Sequence, residues 1–129
     1  MSFNIAHLAF IFAALSGAFG VGFGAFGAHA LRGKIEDRLM DTFQTAVQYQ
    51  MIHALALLIV AILIMQWGRT VTLDFAVYGF IAGILLFSGS LYGLVLTEMR
   101  WLGPITPIGG VCFIIAWLAL AVAGFQRIG

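Results

Sequence analysis

The stretch TAVQYQMIHALALL, from Thr45 to Leu58, contains polar side chains inside an otherwise apolar segment. Tyr49, Gln50 and His53 precede a uniformly apolar run. An imidazole in such a place can carry a proton, ligate a metal or fix a helix through a hydrogen bond. An unpaired imidazole in hydrocarbon is costly, so His53 is expected to have a partner. Whether that partnership is functional or only fixes the helix register is left open by the sequence.

The other residues that could do chemistry do not complete a recognisable centre. His29 lies about 12 Å in depth from His53, and His7 falls at the opposite membrane face. No tight pair or nearby carboxylate completes a ligand set, so no metal and no cofactor are predicted. Ser88 or Ser90 could act as a nucleophile, but no acid lies at the depth of His53. The sequence therefore predicts a protein that is not an enzyme.

The composition of the chain is that of a membrane protein. Of its 129 residues, 63% are hydrophobic and only 9% are charged, whereas soluble proteins have about 25% charged residues. So few charges could not cover the surface of a soluble domain, but a bilayer solvates an apolar exterior. The net charge of +1 provides no concentrated basic face, so nucleic-acid binding is not expected.

Four apolar runs are long enough to cross a bilayer, which takes roughly 20 residues. They cover about residues 5–28, 45–67, 75–96 and 105–125. Only helices and closed barrels satisfy the backbone in hydrocarbon, and these runs lack the alternation of barrel strands. The predicted fold is an all-α integral membrane protein. It has four transmembrane helices in an antiparallel bundle with short connections, forming a single domain over residues 1–129.

The first run is expected to be a retained span and not a cleaved signal peptide. The N-terminal sequence MSFNIAH carries no Lys or Arg, and the apolar run is longer than the 7–15 residues usual in signal peptides.

The first connection, LRGKIEDRLMDTF, has an amphipathic pattern. Ile35, Leu39 and Phe43 recur at a spacing of four, with charged residues between them. The pattern predicts a helical turn that lies at the membrane surface or extends the second span.

The Lys and Arg residues near the helix ends predict the orientation, because cytoplasmic loops carry an excess of them. The first and third connections share one side and hold more of these residues than the other side. The two sets are Arg32, Lys34, Arg38 and Arg100 against Arg69 and Arg127. The bias places both termini in the periplasm and the first connection in the cytoplasm.

Small residues in the first and third spans are typical of close helix packing, which substitutes for the hydrophobic effect in lipid. Many of them recur at spacings of four and form ridges. The residues predicted to pack are Ser16, Gly20, Gly24, Gly27, Gly79, Gly83 and Gly89. Such ridges favour a tight bundle, a homo-oligomer, or both.

A helical wheel of the second span places Tyr49, Gln50 and His53 on one face. If the span enters lipid near Thr45, His53 lies about 12 Å deep at 1.5 Å per residue. The same depth in the third and fourth spans falls near serine and cysteine side chains. The predicted polar intramembrane layer therefore contains His53, Ser88 and Ser90, with Cys112 as a further candidate and Tyr49 and Gln50 nearer the cytoplasm.

Four linked motifs resemble the YgdD-like family, whose members are small bacterial inner-membrane proteins with eukaryotic transmembrane relatives. The motifs are GAFGAHAL (24–31), TAVQYQMIHALALL (45–58), SGSLYGLVLT (88–97) and LGPITPIGG (102–110). The resemblance implies four spans and inner-membrane residence, and it supplies no established activity. The matching positions are Gly24, Gly27, His29, Tyr49, Gln50, His53, Ser88, Gly89, Ser90, Pro107 and Gly109. Gly93, Glu98 and Pro104 depart from the pattern, and Glu98 replaces a small residue.

Two functions remain open at this point. The first is a non-enzymatic bundle that packs with itself, with membrane lipid or with a larger membrane complex. The alternative is an oligomeric transporter or channel for an ion or small solute, built around the His53 layer. No span has an acidic residue in its middle, although coupled carriers commonly use one there, and this weakens the alternative.

Overall fold

A computed structural model describes residues 2–128 of the chain as a bundle of long helices. Helix α1 covers Ile5–Phe26, α2 covers Asp37–Trp67, α3 covers Val71–Gly83, α4 covers Gly89–Thr97 and α5 covers Ile105–Ile128. One π-helical segment, Gly27–Leu31, follows α1, and another, Ile84–Ser88, joins α3 to α4. A short 3-10 turn at Arg100–Leu102 precedes α5.

These helices form four spans that are long and apolar enough to cross a membrane. Span 1 is Ile5–Leu31, span 2 is Asp37–Trp67, span 3 is Val71–Thr97 and span 4 is Arg100–Ile128. The predicted all-α, four-span fold is confirmed, and residues 2–128 contain no strand.

Span 2 begins earlier than the sequence pattern indicated. Its helix starts at Asp37, and Leu39, Met40 and Phe43 are buried against Val95 of span 3. Its charged residues Asp37, Arg38 and Asp41 stay exposed. The amphipathic first connection is therefore largely the first turns of span 2, which extends towards the membrane surface.

The helix ends follow ordinary capping chemistry. Asn4 caps α1 by accepting from the Ala6 and His7 amides, and the His7 ring accepts from the Asn4 amide in return. Thr70 caps α3, and Asp74 in its first turn bonds Arg69 at 3.0 Å. A negative charge in the first turn is also favoured by the positive end of the helix dipole.

The residue that follows the end of span 3 has a left-handed backbone conformation. Glu98 has φ 56°, and it is the non-glycine residue with positive φ among those the structure describes. Glycine adopts this conformation without steric cost. The departure at Glu98 thus falls at a position whose backbone conformation suits a small residue.

The spans pack in the order 1, 2, 3, 4. Span 1 packs mainly on span 2, span 4 packs mainly on span 3, and the two pairs meet through spans 2 and 3. Span 1 meets span 3 mostly through α3. Alongside α4 the two spans diverge, and this divergence leaves the space described below.

Candidate functional site

Gln50 links three spans of the bundle through hydrogen bonds to span 1 and span 3. Its side chain is buried, and its amide nitrogen donates to the Ser16 carbonyl of span 1 at 2.7 Å. The Tyr92 hydroxyl of span 3 donates to its amide oxygen at 2.6 Å. One side chain of span 2 therefore holds spans 1 and 3 in a fixed relation.

The two serines of span 3 bond to different neighbours. Ser88, which is 1% exposed, donates to the Ala46 carbonyl of span 2 at 2.7 Å. The Ser90 hydroxyl lies 2.6 Å from the Thr106 hydroxyl of span 4 and 3.0 Å from the Phe87 carbonyl. Thr106 lies in the first turn of α5, which begins one residue earlier at Ile105.

His53 lies in an aromatic setting, away from both serines. Its Nε2 accepts from the Trp117 indole at 3.1 Å. Because an indole nitrogen only donates, the neutral ring carries its proton on Nδ1, which donates to the Tyr49 carbonyl at 2.7 Å. The ring also stacks on Phe113, with centroids 3.6 Å apart. Both ring nitrogens are thus engaged by structural groups.

The predicted single polar layer is wrong in its register. Ser88 of span 3 pairs with Ala46 of span 2, and His53 lies seven residues further along. The reason is the early start of span 2: Ala46 is nine residues after Asp37, and Ser88 is nine residues before Thr97. Setting the start of this span at Thr45, after the observed helix start at Asp37, placed His53 beside Ser88 where the structure has Ala46.

The remaining candidate residues lie apart from this network. Tyr49 is 39% exposed and stacks on Phe87, with ring centroids 4.6 Å apart. His29 and Pro107 are exposed at the end of the bundle that carries the first and third connections. Within residues 2–128, no three His, Cys, Asp or Glu side chains gather as metal ligands would.

The small residues of span 1 pack against span 2. A Cβ added at Gly20 would clash with Met51, and one at Gly27 would lie 2.8 Å from the Phe43 ring. At Gly24 the nearest neighbour would be Val47 at 3.5 Å.

Glycines of span 3 pack on span 4, and a glycine of span 4 packs on span 3. A Cβ at Gly79 would lie 2.8 Å from the Ala116 side chain, and one at Gly83 would clash with the Phe113 ring. At Gly109 a Cβ would meet the backbone of Leu86 and Phe87. The π-helical segment of span 3 therefore presses directly on span 4, and only a glycine leaves room for it.

Gly89 does not belong to these contacts. It is exposed, and a Cβ there would meet no heavy atom within 4 Å. The prediction that Gly89 packs a helix is wrong within this chain, because the residue faces the open space between spans 1 and 3.

The open space between spans 1 and 3 is a concave feature of the bundle, and we call it the lateral groove. It consists of two cavities of about 410 Å³ and about 470 Å³, which share Phe19, Phe23 and Tyr92 in their lining. The walls come from spans 1 and 3, and the first cavity is also lined by Ser16, Gln50 and Ser88. No charged side chain lines either cavity. The lateral groove is thus an apolar cleft with a small polar floor.

Three partners in this region were missed from the sequence: Trp117, Phe113 and Thr106. Trp117 offered a signal, because it lies twelve residues into α5, whereas tryptophan is enriched at membrane interfaces. A tryptophan at mid-depth suggests an indole that donates to a buried acceptor.

The sequence is similar to membrane proteins of bacteria. A family profile described as "Protein of unknown function (DUF423)" matches residues 23–110. A UPF0382 membrane protein of Staphylococcus aureus is 48% identical over 119 residues, which is 92% of this chain and 96% of the relative. The UPF0382 membrane protein YwdK of Bacillus subtilis is 48% identical over 116 residues, covering 90% of this chain and 94% of the relative.

No solved structure matches the chain at a significant level. The expected resemblance to a membrane family of unknown function is confirmed by these matches, although the names they carry do not include YgdD.

Proposed function

The chain belongs to the DUF423 family of helical membrane proteins, and on that premise we propose that it is a non-enzymatic bundle whose lateral groove binds an apolar, lipid-class molecule. The observation that carries the proposal is the groove itself. Its two cavities, of about 410 Å³ and about 470 Å³, lie within the range of about 300–1,000 Å³ typical of ligand pockets.

The walls of the lateral groove support lateral entry from the bilayer. Gly22 of span 1 and Gly89 of span 3 line it, and a Cβ at either would meet nothing within 4 Å. The π-helical segment contributes Ile84, Leu85 and Ser88 to the same wall. Such interruptions of an α-helix are frequent at functional sites. An apolar molecule in the bilayer can reach this cleft without crossing a polar barrier.

The polar side chains support a non-catalytic role. Ser88 donates to the Ala46 carbonyl, Ser90 donates to the Phe87 carbonyl, and His53 is bonded to Tyr49 and Trp117. A hydrolytic serine would need the histidine as its base within hydrogen-bond reach. The Ser–His pair considered from the sequence is therefore not formed.

No observation favours the transporter alternative. His53 lines neither cavity of the lateral groove, and it does not line the cavity beside Trp67 and Gln126. The glycine ridges no longer favour self-association. Four of their glycines already contact other spans of the same chain: Gly20, Gly27, Gly79 and Gly83. A homo-oligomer or a larger membrane complex stays a prediction that the single chain does not test.

Native mass spectrometry of the chain released from gentle detergent tests lipid binding. The wild type is expected to retain a lipid-class mass adduct, and Gly89→Leu is expected to lose it, because the new side chain fills the first cavity. Gly124→Leu is the matched control, since a Cβ there also meets nothing within 4 Å but the residue does not line the groove. Adducts of equal abundance in all three proteins would contradict the proposal.

The proposal also places the chain in the bacterial inner membrane with both termini in the periplasm. The excess of Lys and Arg in the first and third connections supports this orientation. In a Cys112→Ser background, a membrane-impermeant maleimide should label Ser2→Cys on intact cells and should not label Glu36→Cys. Neither substitution changes the number of Lys and Arg residues, and the opposite labelling would reverse the orientation.

A further inference from the structure

A cavity of about 160 Å³ lies at the end of the bundle that carries the second connection, and we call it the terminal cavity. Its wall combines apolar with polar surface, whereas the lateral groove is almost entirely apolar. We propose that the terminal cavity binds the phosphate of an anionic membrane phospholipid, at a site that does not depend on the lateral groove. Its lining comes from the ends of three spans and the cap of α3, and consists of Trp67, Thr70, Leu73, Ala123, Gln126 and Arg127.

A directional chain of hydrogen bonds fixes the side chain of Gln126. The Thr72 hydroxyl donates to the Gln126 amide oxygen at 2.9 Å. A hydroxyl has one hydrogen, so Thr70 must be the donor in the 3.2 Å contact between the Thr70 and Thr72 hydroxyls. The amide oxygen of Gln126 is therefore occupied. Its NH₂ group keeps two hydrogens for which residues 2–128 provide no acceptor.

Arg127 supplies a positive charge beside this amide. Its Cζ lies 5.6 Å from the centroid of the Trp67 ring, within the range of about 6 Å for a cation–π contact. The contact restrains the guanidinium at the cavity without using its N–H groups as hydrogen-bond donors to a lone pair. The ion pairs among residues 2–128 are Arg38–Glu36 and Arg69–Asp74. Arg127 is thus left without a carboxylate partner in this part of the chain.

The polar groups available in the terminal cavity are all donors. The Thr70 hydroxyl is used on Thr72 and already accepts from the Leu73 amide. The guanidinium, the Gln126 NH₂ group and the Trp67 indole can only donate. Phosphate oxygens only accept, and the forked N–H groups of arginine match them. The neighbouring carboxylate of Asp74 is bonded to Arg69 and does not line the cavity.

Depth and size favour a lipid as the source of the phosphate. The helix of span 2, which ends at Trp67, has 31 residues. At about 1.5 Å per residue it is roughly 46 Å long, and a bilayer with its headgroup layers is about 40–45 Å thick. Trp67 therefore lies at headgroup level, where tryptophan is enriched. The terminal cavity is smaller than the about 300–1,000 Å³ of pockets for whole ligands, so it holds one headgroup phosphate while the acyl chains stay in the bilayer.

The charges of the cavity select among headgroups. A phosphodiester carries one negative charge, and Arg127 alone neutralises it. The ammonium of phosphatidylethanolamine would need an acceptor, which the donors of this cavity do not provide. The assigned ligand class is therefore a phosphodiester lipid without a headgroup cation, as in phosphatidylglycerol.

Titration of the full chain with dioleoylphosphatidylglycerol, followed by native mass spectrometry, tests the assignment. Every protein carries Gly89→Leu, which fills the lateral groove, and the lipid is added because an open surface cavity loses its lipid to detergent during purification. Arg127→Gln is expected to weaken binding about tenfold or more, the usual worth of a charge-assisted hydrogen bond. Arg100→Gln is the matched control, because it removes the same charge from an exposed arginine at the other end of the bundle. Its affinity should equal that of the parent, and equal weakening by both substitutions would overturn the site.

Two further variants distinguish a shaped site from a point charge. Gln126→Leu keeps the guanidinium and removes the amide donors, and it is expected to weaken binding by about two- to tenfold. Arg127→Lys keeps the charge and loses the forked donors, so it should also bind more weakly than the parent. Parental affinity in both variants would show that charge alone attracts the lipid and that the cavity is not a binding site.

A comparison of ligands identifies the source of the phosphate. Dioleoylphosphatidylethanolamine should bind more weakly than dioleoylphosphatidylglycerol, and this preference should disappear in Arg127→Gln. Equal affinity of the parent for the two lipids would refute the headgroup selection. Glycerophosphoglycerol, the same headgroup without acyl chains, should displace the lipid poorly. If it competes as strongly as the lipid itself, the terminal cavity takes a soluble phosphate ester and the lipid assignment is wrong.

Discussion

Gly109→Ala is expected to lower the free energy of unfolding by about 3 kcal/mol, the upper end of the usual cost of overpacking. A Cβ at this position would lie 2.8 Å from the Leu86 carbonyl carbon and the Phe87 Cα, and closer still to the Phe87 nitrogen. These are backbone atoms, so no rotamer change can relieve the clash. Spans 3 and 4 would have to separate. Reversible unfolding in mixed micelles, followed by circular dichroism, measures the loss.

Gly110→Ala is the matched control for this prediction. It lies next to Gly109 in the same helix, but its Cβ would meet only the Phe87 ring, at 3.9 Å. Alanine is the better helix former by about 1 kcal/mol, so the stability of this variant should stay equal or rise. If the two variants lose the same stability, the close approach of spans 3 and 4 at Gly109 is refuted.

Gln50→Leu is expected to cost about 2 kcal/mol in the same assay. The substitution removes both bonds that join spans 1 and 3 to span 2, and it leaves the Tyr92 hydroxyl without its acceptor. Interhelical hydrogen bonds in membranes are worth about 0.6–2 kcal/mol each, and an abandoned polar partner adds to the loss. Gln48→Leu changes an exposed residue of the same helix, and it should leave the stability unchanged.

A double-mutant cycle with Tyr92→Phe isolates the pair. If the Tyr92–Gln50 bond contributes as its 2.6 Å length indicates, the two substitutions together should cost less than the sum of the separate losses, by about 1 kcal/mol. Strict additivity would show that the two side chains are energetically independent.

The sequence was sufficient for the features that depend on composition and local spacing. Long apolar runs predict four spans, and these are confirmed. The spacing of Gly20, Gly24 and Gly27 indicated a smooth face on span 1, and this face lies against span 2. Such features can be read locally because lipid imposes the same requirements on every spanning segment.

The register between spans could not be read in this way. Charged residues between 34 and 41 suggested a connection, whereas Leu39, Met40 and Phe43 pack on span 3 and extend the second helix. The helix can bury its apolar face against span 3 without burying a charge, because the charged side chains point away from that face and remain exposed. The predicted register paired Ser88 with His53, seven residues beyond its observed partner Ala46, and this error hid the bond that Trp117 donates to His53.

The lateral groove had no local signature at all. It depends on span 1 leaving span 3 beside α4, and on the π-helical segment pressing towards Gly109. The same glycine spacing that indicated packing on span 1 misled at Gly89, where the neighbouring helix is absent. Small residues allow a close approach, but the global arrangement of the helices decides whether a neighbour is there to use it.

Photo-crosslinking from within the groove is the most direct test of the account. Benzoylphenylalanine replaces Phe19, which lines both cavities, or Leu118, an exposed residue of span 4 that lines neither. After irradiation of living cells, the probe at position 19 should yield one dominant lipid-class adduct that disappears when Gly89→Leu is added. The probe at position 118 should yield the mixture of bulk lipids. The same bulk mixture at both positions would show that the cleft selects nothing, and lipid-class binding in the lateral groove would be refuted.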